Sequence, residues 1–148
     1  LEILIIILGI ALDRITKYWA LNSLKINGGV EIIKDFFSFE YLENRGAAFG
    51  IFQNKVSLLT MVTSLVLLGI IYYRIKYKPK TKIMRISLAL IISGAIGNLI
   101  DRISINYVVD FILVHYKNVY YFPTFNVADM FVVVGTFLLA ICIVKEWE

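Results

Sequence analysis

From residue 56 to residue 73 the chain carries no charged side chain. A helix of that length matches the hydrocarbon core of a bilayer, roughly 30 Å thick. Two more stretches, 83–103 and 126–144, have the same character with a few polar residues near their ends. Backbone surrounded by lipid must satisfy its own hydrogen bonds, so such stretches fold as helices. Residues 3–12 form a shorter apolar run that ends at Asp13, Arg14 and Lys17. That run resembles a signal-peptide core, but no basic region precedes it and no small-x-small cleavage site follows. It is read as a helix over 3–20 whose polar end faces the bundle or the outer interface. The chain begins at Leu1, and residues are expected before it. Hydrophobic residues make up 59% of the 148, against roughly 45–50% in soluble domains. The fold class that follows is a mainly α membrane protein, a single domain over 1–148. It has four transmembrane helices and a small extracytoplasmic antiparallel β-sheet between helices 1 and 2.

Orientation comes from the basic residues. Arg74, Lys76, Lys78, Lys80, Lys82 and Arg85 crowd one acid-free loop over 74–85, which the positive-inside rule places in the cytoplasm. This also accounts for the net charge of +4 without a nucleic-acid partner. By alternation both termini are cytoplasmic, as Lys145 agrees, and the connections 22–55 and 104–125 are extracytoplasmic. In the first of these, Gly28 and Gly29 mark a turn, and Phe37, Phe39 and Tyr41 alternate with Ser38, Glu40 and Leu42 as in a half-buried strand. The following Asn44-Arg45-Gly46-Ala47-Ala48-Phe49-Gly50 fits either a close passage for a substrate backbone or a tight turn into a helix. Cys142 is the only cysteine, so an intrachain disulfide and a Cys/His metal cluster are both excluded, and it reads as a packing residue. The sole histidine, His115, reads as a solvated loop residue.

Polar residues in apolar segments need partners, water or a task. Asp110 and Asp129 flank one short connection and so lie at one membrane boundary. Asn98, Asp101 and Arg102 fall at i, i+3 and i+4 on one helical face, where Asp101 and Arg102 read as a structural clasp. Asp13 and Lys17 are spaced to pair along a helix. Asn126 suits the cap of the last helix, with Pro123 marking the loop before it. Two carboxylates brought within about 3 Å cannot both ionise. The ionised one could take a proton from an attacking water while the protonated one assists a carbonyl and its leaving amine. No nucleophile triad competes. A proton-relaying transporter component is the alternative, although 65–71 and 137–144 offer no charged residue to continue a relay. A non-enzymatic assembly factor is a second alternative.

Five blocks, in order, carry a family resemblance. They are Asp13-Arg14-Ile15-Thr16-Lys17, Asn44-Arg45-Gly46-Ala47-Ala48-Phe49, Ser93-Gly94-Ala95-Ile96-Gly97-Asn98-Leu99-Ile100-Asp101-Arg102, Val109-Asp110-Phe111 and Phe125-Asn126-Val127-Ala128-Asp129. Together they resemble the bacterial lipoprotein signal peptidases, or signal peptidase II. The resemblance implies an aspartyl endopeptidase of the bacterial cytoplasmic membrane that removes signal peptides from prolipoproteins. The cut falls N-terminal to a cysteine bearing a diacylglyceryl group. It implies Asp110 and Asp129 as the catalytic dyad, Asn44, Gly46, Asn98, Arg102 and Asn126 as site-lining or substrate-binding residues, and Asp13, Lys17 and Asp101 as structural support. Met130 departs from the family pattern, which commonly has serine after the last aspartate. The expected partners are prolipoprotein substrates and membrane lipids, and the expected working form is a monomer. Neither a metal nor another cofactor is expected, since the sequence has no ligand cluster and no glycine-rich phosphate loop. The outer sheet with residues 44–49 is expected to close over the substrate, with the active site at the extracytoplasmic face.

Overall fold

The computed structural model describes residues 1–46, 52–117 and 119–147. Helix α1, Glu2–Trp19, runs through a π-helical turn, Ala20–Leu24, into the short α2, Lys25–Asn27. The expected end near Ala20 is therefore overrun by about two turns. Packing explains this: Ala20 and Leu24 are buried against Val109 and Phe111, so the apolar stripe of the helix continues past Trp19. Gly28, at φ 88°, adopts a conformation open to glycine and ends the run.

Next come strands β1, Val30–Ile33, and β2, Phe37–Asn44, then helices α3, Val56–Tyr77, and α4, Lys82–Ile105. Strands β3, Val108–Tyr116, and β4, Tyr120–Tyr121, lead into α5, Val127–Val144. Helices α3, α4 and α5 are each long and apolar enough to cross a membrane. Helix α1 carries four charged residues, Glu2, Asp13, Arg14 and Lys17, among its 18, and is not apolar enough to be counted with them. Large apolar side chains cover the outside of the bundle, among them Ile3, Ile7, Leu65, Leu68, Val133 and Phe137. This is a surface for lipid rather than water, and the protein is a multi-pass membrane protein.

The antiparallel sheet has the order β1-β2-β3-β4, so it is not confined to the connection between helices 1 and 2. Half of its strands come from the connection between α4 and α5. The reason is legible in β3, a nearly unbroken apolar run, VVDFILVHY, buried along most of its length. A strand covered on both faces loses the alternation that marks a half-exposed one. Register pairs Leu42 with Asp110 and Asn44 with Val108, beyond a bulge between Phe39 and Leu42. Trp19 of α1 meets Phe39 and Phe111 edge-on at 5.3 and 5.9 Å, fixing the sheet on the end of the helix.

Helix α4 is the buried centre, packed against α1, α3 and α5. Its glycines allow the close approach. A Cβ at Gly94 would collide with the Ala128 carbonyl oxygen, and one at Gly97 would lie 2.6 Å from Asp13 Oδ2. At the opposite end of the bundle, Glu2 of α1 accepts hydrogen bonds from Arg74 of α3, at 2.8 Å from Nη2, and from Arg85 of α4. Cys142 is buried against Met84 and Leu88.

Candidate active site

The site forms where the first turn of α5 meets β3, β2 and the end of α4. Asn126 is the N-cap of α5. Its Oδ1 accepts the Asp129 N–H at 2.9 Å, while Asp129 Oδ2 accepts the Asn126 N–H at 3.0 Å. This reciprocal capping box satisfies two N–H groups that a helix start leaves free and fixes the Asp129 side chain. Asp110 arrives on β3. Its Oδ1 accepts from Asn126 Nδ2 at 2.6 Å and its Oδ2 from Asn44 Nδ2 at 2.8 Å. Gly46 is buried and donates its N–H to Asn44 Oδ1 at 2.9 Å, which orients the Asn44 amide. The neighbouring Ala47, Ala48, Phe49 and Gly50, singled out in the sequence, lie outside the described residues.

Asn98 of α4 completes the arrangement. Its Nδ2 donates to Asp129 Oδ1 at 2.7 Å, and its Oδ1 accepts from Lys17 Nζ at 2.9 Å and from Asn126 Nδ2 at 3.1 Å. Three asparagines thus hold two carboxylates, all four carboxylate oxygens accepting N–H donors. Asp110 is 1% exposed and Asn126 is fully buried. Burial, and then the charge of Asp129, push the Asp110 carboxyl up to about 7, against the pull of its bonds from Asn44 and Asn126.

Both aspartates open onto one cavity of about 700 Å³, which Asn44, Asn98 and Arg102 also line. Its walls are apolar, supplied by Val62, Val66 and Ile70 of α3 and by Val132, Val133 and Val134 of α5. Met130, where the family pattern has serine, is also part of that wall.

The expected clasp between Asp101 and Arg102 is replaced by a different pairing. Asp101 turns to α1, where it meets Arg14 at 2.7 Å and Lys17 at 2.9 Å, while Arg102 faces the cavity. A hundred-degree step along a helix separates neighbouring residues, which is why two adjacent charges serve different faces. Asp13 and Lys17 do pair, at 3.1 Å. Spacing alone gives Arg14 no role; the structure shows it bound to both buried carboxylates, Asp13 at 2.9 Å and Asp101 at 2.7 Å. His115 is a second correction. It is buried on β3, hydrogen-bonded through Nδ1 to the Lys117 carbonyl at 3.0 Å and stacked on Tyr121. Among the described residues, no cluster of three or more His, Cys, Asp or Glu side chains is arranged to hold a metal.

The family model described as "Signal peptidase (SPase) II" matches residues 5–145. The lipoprotein signal peptidase of Clostridium novyi (strain NT) is 64% identical over 146 residues, covering 99% of each chain. That of Clostridium tetani (strain Massachusetts / E88) is 58% identical, over 99% of this chain and 94% of its own. A solved bacterial membrane enzyme, 34% identical, superimposes with a TM-score of 0.88 over 98% of this chain and 88% of its own.

Proposed function

Because the chain belongs to the signal peptidase II family, a family of peptidases that remove signal peptides from prolipoproteins, we propose that Asp110 and Asp129 are the catalytic aspartates of that cleavage. The observation that carries this reading is the shared cavity, with two carboxyl groups held by Asn44, Asn98 and Asn126 under an apolar wall.

Asp110, whose carboxyl is pushed up to about 7, is the member suited to keep the shared proton near neutral pH. Asp129 sits in the first turn of α5, where the positive end of the helix favours a carboxylate. Titration belongs to the pair as a unit. With a substrate amide in the cavity, Asp129 takes a proton from water as the water oxygen bonds to the carbonyl carbon. Asp110 donates its proton toward the carbonyl oxygen. The tetrahedral species collapses, the C–N bond breaks, and the departing amine receives a proton from the dyad. Arg102 and Asn44, which line the cavity, hold the substrate backbone.

The substrate is a prolipoprotein whose scissile bond precedes a diacylglyceryl-cysteine. A signal helix and two acyl chains fit walls made by Val62, Val66, Ile70, Val133 and Val134, and both groups already reside in lipid. The bilayer therefore contributes little net affinity for them, and their role is to position the peptide. In this reading α1 is a fourth span, the basic loop is cytoplasmic with both termini, and the dyad lies at the extracytoplasmic face of the bacterial cytoplasmic membrane.

The test is cleavage of a diacylglyceryl-modified lipobox peptide by the purified chain in detergent, beside Asp110→Asn and Asp129→Asn at matched folding. Cleavage before the lipidated cysteine by the parent and none by the folded variants is the expected result. Variants as active as the parent would remove the dyad assignment.

A further inference from the structure

Behind the dyad lies a buried charge cluster that makes three contacts toward it. Asp13 Oδ1 accepts the N–H of Ala128 at 3.1 Å, the residue just before Asp129. Asp101 Oδ2 accepts the N–H of Val109 at 3.1 Å, the residue just before Asp110. Each acid thus grips the backbone immediately upstream of one aspartate of the dyad. Lys17, 1% exposed, joins the two grips, reaching Asp13 Oδ2 at 3.1 Å and Asp101 Oδ2 at 2.9 Å. The third donor of its ammonium goes to Asn98 Oδ1 at 2.9 Å, the amide whose other end donates to Asp129.

Simple neutralisation of Asp13 and Asp101 does not require that third bond. Arg14 already binds both acids, at 2.9 and 2.7 Å, and the Gly97 carbonyl at 3.1 Å. A buried ionic cluster is also a weak source of stability compared with apolar packing of the same volume. Lys17 adds the shorter and only charged of the two donors to Asn98 Oδ1, the other being Asn126 Nδ2 at 3.1 Å. This pair of donors makes Asn98 present its NH2, not its oxygen, to Asp129.

We infer that Lys17 is a positioning residue for the dyad: it sets strand β3 against helix α5 through Asp101 and Asp13, locks the Asn98 amide toward Asp129, and supplies the positive charge behind the pair. The inference rests on the dyad reading above. Charged groups around Lys17 and the dyad are Asp13 and Arg14 from α1, Asp101 and Arg102 from α4, Asp110 from β3 and Asp129 from α5. Helix α3 brings only Val62, Thr63, Val66 and Ile70 to the shared cavity. Loss of the Lys17 charge makes ionisation of the pair harder, so the acidic limb of the rate profile moves to higher pH. Loss of the Asp13 charge leaves a surplus cation behind the pair and moves that limb to lower pH.

The experiment follows kcat against pH for the full chain in detergent on the diacylglyceryl-modified lipobox peptide, with melting curves taken in parallel. It compares the parent with Lys17→Met, Lys17→Arg, Asp13→Asn, Asp110→Asn and Asp129→Asn. The expected result is an acidic limb raised by about one pH unit in Lys17→Met, nearly restored in Lys17→Arg, and lowered in Asp13→Asn. Folded Lys17→Met and Asp13→Asn that lose the same factor of rate at every pH would overturn the inference. If Lys17→Met does not fold, the direction of the Asp13→Asn shift decides alone. Inactive Asp110→Asn and Asp129→Asn beside unmoved limbs removes only the role of Lys17. Activity in those two variants removes the dyad reading, and the inference with it.

Discussion

Asp110 is the residue at which the proposed chemistry and the stability of the fold oppose each other. Its carboxyl, ordinarily near 3.8, is pushed up to about 7 by burial and by Asp129. A carboxyl whose value is higher in the folded chain than in the unfolded one favours folding below its unfolded value. That contribution is lost as pH rises through the folded value. Between about pH 4 and pH 7 this residue therefore makes the protein progressively less stable. Asp110→Asn keeps the shape of the side chain and removes the ionisation. One of the two acceptors becomes a donor facing Asn44 or Asn126, so the expected signature is the slope: the melting temperature of the variant relative to the parent rises from about pH 4 to about pH 8. Melting curves of the two proteins across that range check this, and parallel curves would contradict it. The same substitution abolishes cleavage in the proposed mechanism, so activity and this pH-dependent loss of stability are removed together.

Among the elements, the contact of α4 with α1 and α5 sets the geometry of everything at the site. Association of helices in lipid depends on close backbone approach at small residues, and Gly97 is where α4 meets Asp13. A Cβ there lies 2.6 Å from Asp13 Oδ2 and 3.1 Å from the Ala128 Cβ. Gly97→Ala is expected to displace the grip on Ala128, destabilise the fold by about 1–3 kcal/mol and slow cleavage by roughly tenfold to a hundredfold. Denaturation and kinetic measurements on the one variant test both parts. Position along a helix is legible in the sequence: Asn126 as cap and Asp13 with Lys17 follow from spacing. The choice between bundle and outer interface for the polar end of α1 is made only by the structure, which buries Asp13 and Lys17. Pairing between distant elements is not legible either. That Asp101 belongs to α1 and not to Arg102 depends on a rotation of α4 that its short polar patch leaves open. That β3 carries Asp110 inside a four-stranded sheet depends on a strand pairing with residues 37–44, some 70 positions earlier, and its buried apolar run has no period to announce it. His115 was misread for the same reason, since a loop and a covered strand look alike in that stretch.

At the scale of the whole molecule, the cavity is a cleft between helices, with polar chemistry at one end and oily walls along its length. Those walls are expected to serve the lipid and signal-helix parts of the substrate. Val66 lines the cleft and is 55% exposed, so Val66→Trp occupies the cleft without disturbing the core. KM for the lipidated peptide is expected to rise several-fold while the melting temperature stays near that of the parent. An unchanged KM would separate the cleft from substrate binding. The far end of the bundle is closed by Glu2 with Arg74 and Arg85, so α1 is tied to α3 and α4 at one end and to the dyad at the other.

The charges of α1 also bear on how such a chain is born. Arg14 and Lys17 outnumber Asp13, so near the end of α1 one positive charge stays uncompensated until Asp101 is delivered by α4, and one Asp13 oxygen waits for the Ala128 N–H of α5. Synthesis proceeds from the N-terminus, so α1, made before α4 and α5, waits on both of them to be satisfied. Arrival of α5 and assembly of the two carboxylates become a single event. A chain arrested before α5 leaves one Asp13 oxygen and the Asn98 NH2 without their partners inside an oily bundle.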